Sequence, residues 1–184
     1  IKLRHICVFS TQKLMKSKKN LVFLGMMGSG KSSIGSIISN KLNIDFVDVD
    51  KEIENKLNMK ISKIFENNGE KYFRNIEELI TLKFLKKNKT VISLGGGAFL
   101  NNKIKKEVLD NHISFWLNWD IKTLVNRIKD SKKRPIALKA SKIELEDLIK
   151  NRSIVYSKAM YKIDCENLSK NDIVKNILKI YDAY

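Results

Sequence analysis

Residues 21–32 read Leu21-Val22-Phe23-Leu24-Gly25-Met26-Met27-Gly28-Ser29-Gly30-Lys31-Ser32. Four consecutive apolar residues suit a strand buried on both faces, and the glycine that follows ends it. Beyond Ser32, Ile34, Ile37, Ile38 and Leu42 recur at helical spacing, so the segment predicts strand, tight loop and helix. Inside it, Gly25 to Ser32 fits G-x-x-x-x-G-K-[ST] in the strand-to-helix context that gives this motif its meaning. Backbone N–H groups of Gly28, Ser29 and Gly30 can curl around phosphate oxygens, and the helix start adds the positive end of its dipole. Lys31 would reach the β- and γ-phosphates, the Ser32 hydroxyl would ligate Mg²⁺, and Ser33 extends the phosphate-binding run. The expectation is a bound nucleoside triphosphate. The alternative is a glycine-rich turn that merely caps a helix.

Periodicity continues on the C-terminal side. Phe46-Val47-Asp48-Val49-Asp50 alternates as a strand with both aspartates on one side. Ile61, Ile64 and Phe65 predict a short helix closing near Gly69, and Phe73, Ile76, Ile80 and Phe84 a longer one after it. Further strands are predicted at 90–94, 113–117 and 161–165, with helices through Leu124–Ile128, over about 143–158, and through Ile173–Ile180. Strands alternating with helices imply one α/β domain whose parallel sheet is covered on both faces. Residues 129–142 (KDSKKRPIALKASK) hold the only proline and five lysines with little apolar spacing, so they read as a mobile loop.

A length of 184 residues suits a single core, and no apolar run approaches the 18 needed to span a membrane. The net charge of +16 would attract nucleic acid, anionic membrane or phosphates. All but five of the 36 basic residues are lysine, however, as an A/T-biased coding sequence would produce. Specific nucleic-acid binding is therefore not expected, and neither is a membrane partner. Cys7 and Cys165 offer neither a disulfide framework nor metal spacing, which predicts a cytoplasmic protein with inert thiols. Residues 1–19 are basic and acid-free, and their apolar stretch Ile6–Phe9 is too short for a signal-peptide core. They are expected to be an extension or non-native start outside a domain over 20–184.

Three further features carry chemistry. Six of the eight glycines fall in two tracts, the loop above and Gly95-Gly96-Gly97 at a strand's carboxyl end, where α/β sheets place ligands. This suggests backbone lying against a substrate, with a ligand-free loop as the alternative. Asp48 and Asp50 would face the phosphate loop, one holding Mg²⁺ through water and the other taking a hydroxyl proton. Alternatively, they cap the next helix. Arg74 and Glu77, three apart on a helix, form either a site pair or a surface ion pair.

In this order the pieces resemble the shikimate kinase family from about Leu21 to the C-terminus. The carriers are GMMGSGKS at 25–32, DVD at 48–50, FRNIE at 73–77, SLGGGA at 93–98, RP at 134–135, and Arg152 with Tyr156. The resemblance implies transfer of the γ-phosphoryl of ATP to the 3-hydroxyl of shikimate by a monomeric kinase. It implies a five-stranded parallel sheet in order 2-3-1-4-5, sandwiched between helices as in P-loop NTPases, with residues 129–142 as the lid. Asp50 would bind the ring hydroxyls and orient or deprotonate the nucleophile. Asp48 with Ser32 would position Mg²⁺, Arg74 and Arg152 would hold the shikimate carboxylate, and Glu77 would orient Arg74. Gly96 would contact substrate through its backbone, between Gly95 and Gly97. Arg127 would pack on the adenine, and Arg134 would reach the phosphates from the lid. Two positions depart from the family pattern: where the family has Arg-Pro followed by two leucines, Ile136-Ala137 precedes Leu138, and Ile154 replaces a proline between Arg152 and Tyr156. The alternatives are a kinase for another small acceptor, such as gluconate or a nucleoside monophosphate, and an inactive nucleotide-binding relative.

Overall fold

The computed structural model describes residues 19–129 and 140–184. The strands are β1 (Leu21–Leu24), β2 (Asp45–Asp48), β3 (Thr90–Ser93), β4 (Ile113–Asn118) and β5 (Tyr161–Asp164). The helices are α1 (Lys31–Leu42), α2 (Val49–Leu57), α3 (Ile61–Leu85), α4 (Asn102–Asn111), α5 (Ile121–Lys129), α6 (Lys142–Tyr156) and α7 (Lys170–Ala183). A 3₁₀ turn at Ala98–Leu100 follows the second glycine tract. All strand pairs are parallel and the sheet order is β2-β3-β1-β4-β5, as the resemblance implied.

The period-2 alternation of β1 sorts its side chains between two cores. Val22 and Leu24 join Ile92, Trp116, Phe73, Ile104, Val125 and Leu145 on one face of the sheet. Leu21 and Phe23 join Val91, Phe115, Ile34, Ile38, Ile173 and Ile177 on the other. The result is a three-layer α/β/α sandwich, and it explains why β1, β3 and β4 are buried along almost their whole length. Asn20 closes the amino end of the sheet. Its amide donates to the carbonyls of Leu85 and Lys87, its side-chain oxygen accepts from Thr90 N–H, and its own carbonyl accepts from Ile113 N–H.

Two sequence expectations change. The second strand ends at Asp48, so Asp48 and Asp50 do not share a strand face. Asp48 is the N-cap of α2, its Oδ1 accepting from the N–H groups of Asp50 and Lys51, and Asp50 lies in that helix's first turn. Helices α2 and α4, which periodicity did not reveal, bury only two residues each, Val49 and Ile53 in one and Ile104 and Val108 in the other. The expected break at Gly69 is present: its φ of 79° and ψ of 170° interrupt α3 and separate the short helix from the longer one. Residues 130–139 of the expected lid, Arg134 and the Ile136-Ala137 departure among them, lie outside the described residues, as do residues 1–18.

Candidate active site

The strand order places the motifs before any side chain is considered. β3 lies between β2 and β1, so the carboxyl ends of β2, β3 and β1 deliver Asp48, the Gly95–Gly97 tract and the phosphate loop side by side. Next to β1 the strand order reverses toward β4, which makes this the crevice where doubly wound sheets hold ligands.

In the phosphate loop, Gly28 and Gly30 have φ of 79° and 90°, a region costly for any residue with a Cβ. Gly30 caps α1 without a side-chain bond, so the first turn of that helix keeps its N–H groups directed at the loop. Lys31, only 7% exposed, donates from Nζ to the carbonyls of Gly25 and Met26, both at 2.9 Å. Gly28, Gly30, Lys31, Ser32, Ser33 and Asp50 line one cleft of about 310 Å³. Ser29 is buried behind it, its carbonyl oxygen accepting from Trp119 Nε1 at 2.9 Å. A wider groove of about 690 Å³, lined by Lys41, Val174 and Leu178 among others, carries none of the motif residues.

The second tract is crowded by side chains. A Cβ on Gly95 would lie 2.5 Å from Glu77 Oε1 and 2.8 Å from Asp50 Oδ1. A Cβ on Gly97 would lie 2.5 Å from Arg74 Nη1, and one on Gly96 3.2 Å from Met27 N and 3.6 Å from Arg152 Nη1. Glycine is needed here for space, so that four charged residues can close on one stretch of backbone. The nearest neighbours of Gly95 and Gly97 are the protein's own charged groups, and that of Gly96 is the Met27 backbone nitrogen.

Those groups are organised. Glu77, with a side chain 3% exposed, accepts from Arg74 Nη1 at 2.7 Å, which excludes a solvated surface pair. Glu70 Oε1 accepts from Arg74 Nε and Nη2 at 3.1 and 3.0 Å. Burial opposes the Arg74 charge, but the attraction and hydrogen bonds of Glu77, then of Glu70, outweigh it and raise the pKa. With three N–H groups used, the guanidinium keeps two for a further anion. Arg152, buried on α6, donates from Nη1 to the Gly96 carbonyl at 3.2 Å. Its buried Nε has no partner among the described residues. Tyr156 OH donates to the same Gly96 carbonyl. Ile154 is 68% exposed, so losing the family's proline there leaves both contacts in place.

Spacing did not reveal Glu70 or Trp119. Glu70 stands four residues before Arg74, an ion-pair spacing that the 74–77 pairing overshadowed. Trp119 follows β4 in a connection with no periodicity, and the Arg127 guanidinium lies 3.7 Å from its ring centroid. For a hard cation, the fitting donors are the Ser32 hydroxyl at the cleft and Asp48, whose Oδ2 accepts no hydrogen bond among the described residues. No group of three or more acidic, His or Cys side chains is placed to hold a metal ion among those residues. A site that holds its cation largely through nucleotide phosphates needs none. Burial pushes the Cys165 thiol up to about 12, which makes it inert as expected.

Comparison with known proteins fits this arrangement. The family model described as shikimate kinase matches residues 27–182. A shikimate kinase of Bartonella quintana is 34% identical, covering 98% of this chain and 88% of its own. A solved shikimate kinase from Acinetobacter baumannii, in complex with shikimate, superposes with a TM-score of 0.86 at 28% identity, covering 93% of this chain and 97% of its own. The enzyme from Aquifex aeolicus gives 0.79 at 35% identity, covering 89% and 96%. With a phosphate loop, the expected sheet order and similarity along almost its entire length, the chain belongs to the shikimate kinase family of ATP-dependent phosphotransferases.

Proposed function

We propose that this site moves the γ-phosphoryl of ATP to the 3-hydroxyl of shikimate through the residues gathered at Gly95–Gly97. The observation that carries the reading is their convergence. Asp50 lines the phosphate cleft and also presses on Gly95, so it stands at the boundary between nucleotide and acceptor. Arg74 and Arg152 approach the same tract and supply hydrogen-bond forks for a carboxylate. Glu77 holds Arg74 in place, and Gly96 offers backbone between them.

In the transfer, the acceptor oxygen forms a bond to the γ-phosphorus as the bond to the β,γ-bridging oxygen breaks, and ADP leaves. The hydroxyl proton passes to the Asp50 carboxylate, which orients the nucleophile beforehand. Lys31 and the N–H groups of Gly28, Ser29 and Gly30 meet the phosphate oxygens, and Arg127 supports the base. Ser32 and Asp48 would hold Mg²⁺, which neutralises phosphate charge when bound. A monomer in the cytoplasm completes the reading, with sedimentation as the check on mass.

A coupled assay of ADP release, with shikimate, gluconate and nucleoside monophosphates in parallel, tests the proposal. Shikimate-dependent release far above the others is expected. Release that ignores shikimate, or prefers another acceptor, overturns it.

A further inference from the structure

Trp119 joins both hydrophobic cores at the carboxyl edge of the sheet, which fixes the plane of its indole. Its N–H is bonded to the Ser29 carbonyl at 2.9 Å, and its face is covered by Arg127 at 3.7 Å. Arg127 also reaches the phosphate loop: Nη1 lies 3.5 Å from the Gly28 carbonyl oxygen, and a Cβ on Gly28 would come within 3.4 Å of Arg127 Cβ. Two side chains thus form one stack tethered to adjacent peptides of the loop. Arg127 is nevertheless exposed, so the guanidinium has one face against indole and another toward solvent.

A free arginine would lose rotamer freedom on stacking against a ligand. Here the indole already restricts those rotamers. A planar cation held flat, beside a phosphate cradle, is a receptor for another π-face.

We propose that Trp119 is a positioning residue for the nucleotide base. It holds Arg127 flat for the purine and, through Ser29, fixes the distance from that platform to the phosphate cradle. The proposal rests on the ATP-kinase reading and adds to it how base recognition is coupled to the loop.

Competition against ATP by two probes, ADP and inorganic tripolyphosphate, separates base from phosphate binding. In Trp119→Leu, ADP should weaken roughly ten-fold while tripolyphosphate stays within about two-fold. Trp119→Phe keeps an aromatic face but lacks the N–H that reaches Ser29, so it should recover part, not all, of the ADP affinity. Equal loss of both probes, or loss of neither, overturns the proposal. A wild-type chain that binds neither probe overturns the kinase reading and this proposal with it. Indole emission offers a second readout that does not depend on the leucine variant folding. ADP should change the wild-type signal, tripolyphosphate should not, and the change should vanish in Trp119→Phe; an undiminished response in that variant, arising from Trp116, overturns the proposal.

Discussion

The two glycine tracts use the same residue for opposite physical reasons. In the phosphate loop, Gly28 and Gly30 sit at positive φ, and what matters is a backbone shape that turns N–H groups inward. At Gly95–Gly97 no glycine has positive φ, and what matters is the missing Cβ, whose space Asp50, Glu77 and Arg74 occupy. One tract shapes main chain for the phosphates of the proposed nucleotide. The other clears room for the charged side chains proposed to hold the acceptor.

The sharpest test of this division is chemical. Lys31→Met should lower kcat by about three orders of magnitude or more, because charge neutralisation dominates phosphoryl transfer. Asp50→Asn should also abolish turnover, yet leave ATP binding intact in a titration. If Asp50→Asn lost ATP affinity as well, the boundary assigned to Asp50 would be wrong. Next come Gly95→Ala, Gly97→Ala and Arg74→Ala. Each should lower kcat/KM for shikimate by about 10²-fold, since displacing or deleting a held charge misplaces the acceptor, with the ATP KM little changed. An Arg74→Ala enzyme with an unaltered shikimate KM and kcat would remove the carboxylate assignment. Gly28→Ala should do the reverse and weaken ATP by roughly ten-fold through backbone strain while sparing shikimate binding. The smallest effect belongs to Gly69→Ala. Among the described residues nothing beyond its own chain neighbours and helix backbone lies within 4 Å of its would-be Cβ, so thermal unfolding should report about 1–2 kcal/mol of lost stability from φ alone, with normal kinetics.

What the sequence disclosed follows the same division. The phosphate loop was legible because its contacts are made within a dozen consecutive residues, from β1 to α1. The break at Gly69 was legible because the apolar period stops there. The site around Gly95 was legible only in its parts, since Arg74, Asp50 and Arg152 arrive from three helices and meet through strand order. Asp48 shows a local ambiguity: Phe46-Val47-Asp48-Val49-Asp50 alternates like a strand, but an aspartate before a polar helix is also a cap, and capping prevails. Trp119 carried no pattern, because its partners Ser29 and Arg127 come from separate elements.

The Lys31 ammonium draws together the entrance of the phosphate loop. Its Nζ donates to the Gly25 and Met26 carbonyls, so a buried cation is solvated by main chain. Removing it costs shape as well as charge. Lys31→Met leaves those two carbonyls short of a donor, so the loop loses a brace in the same step that it loses a cation.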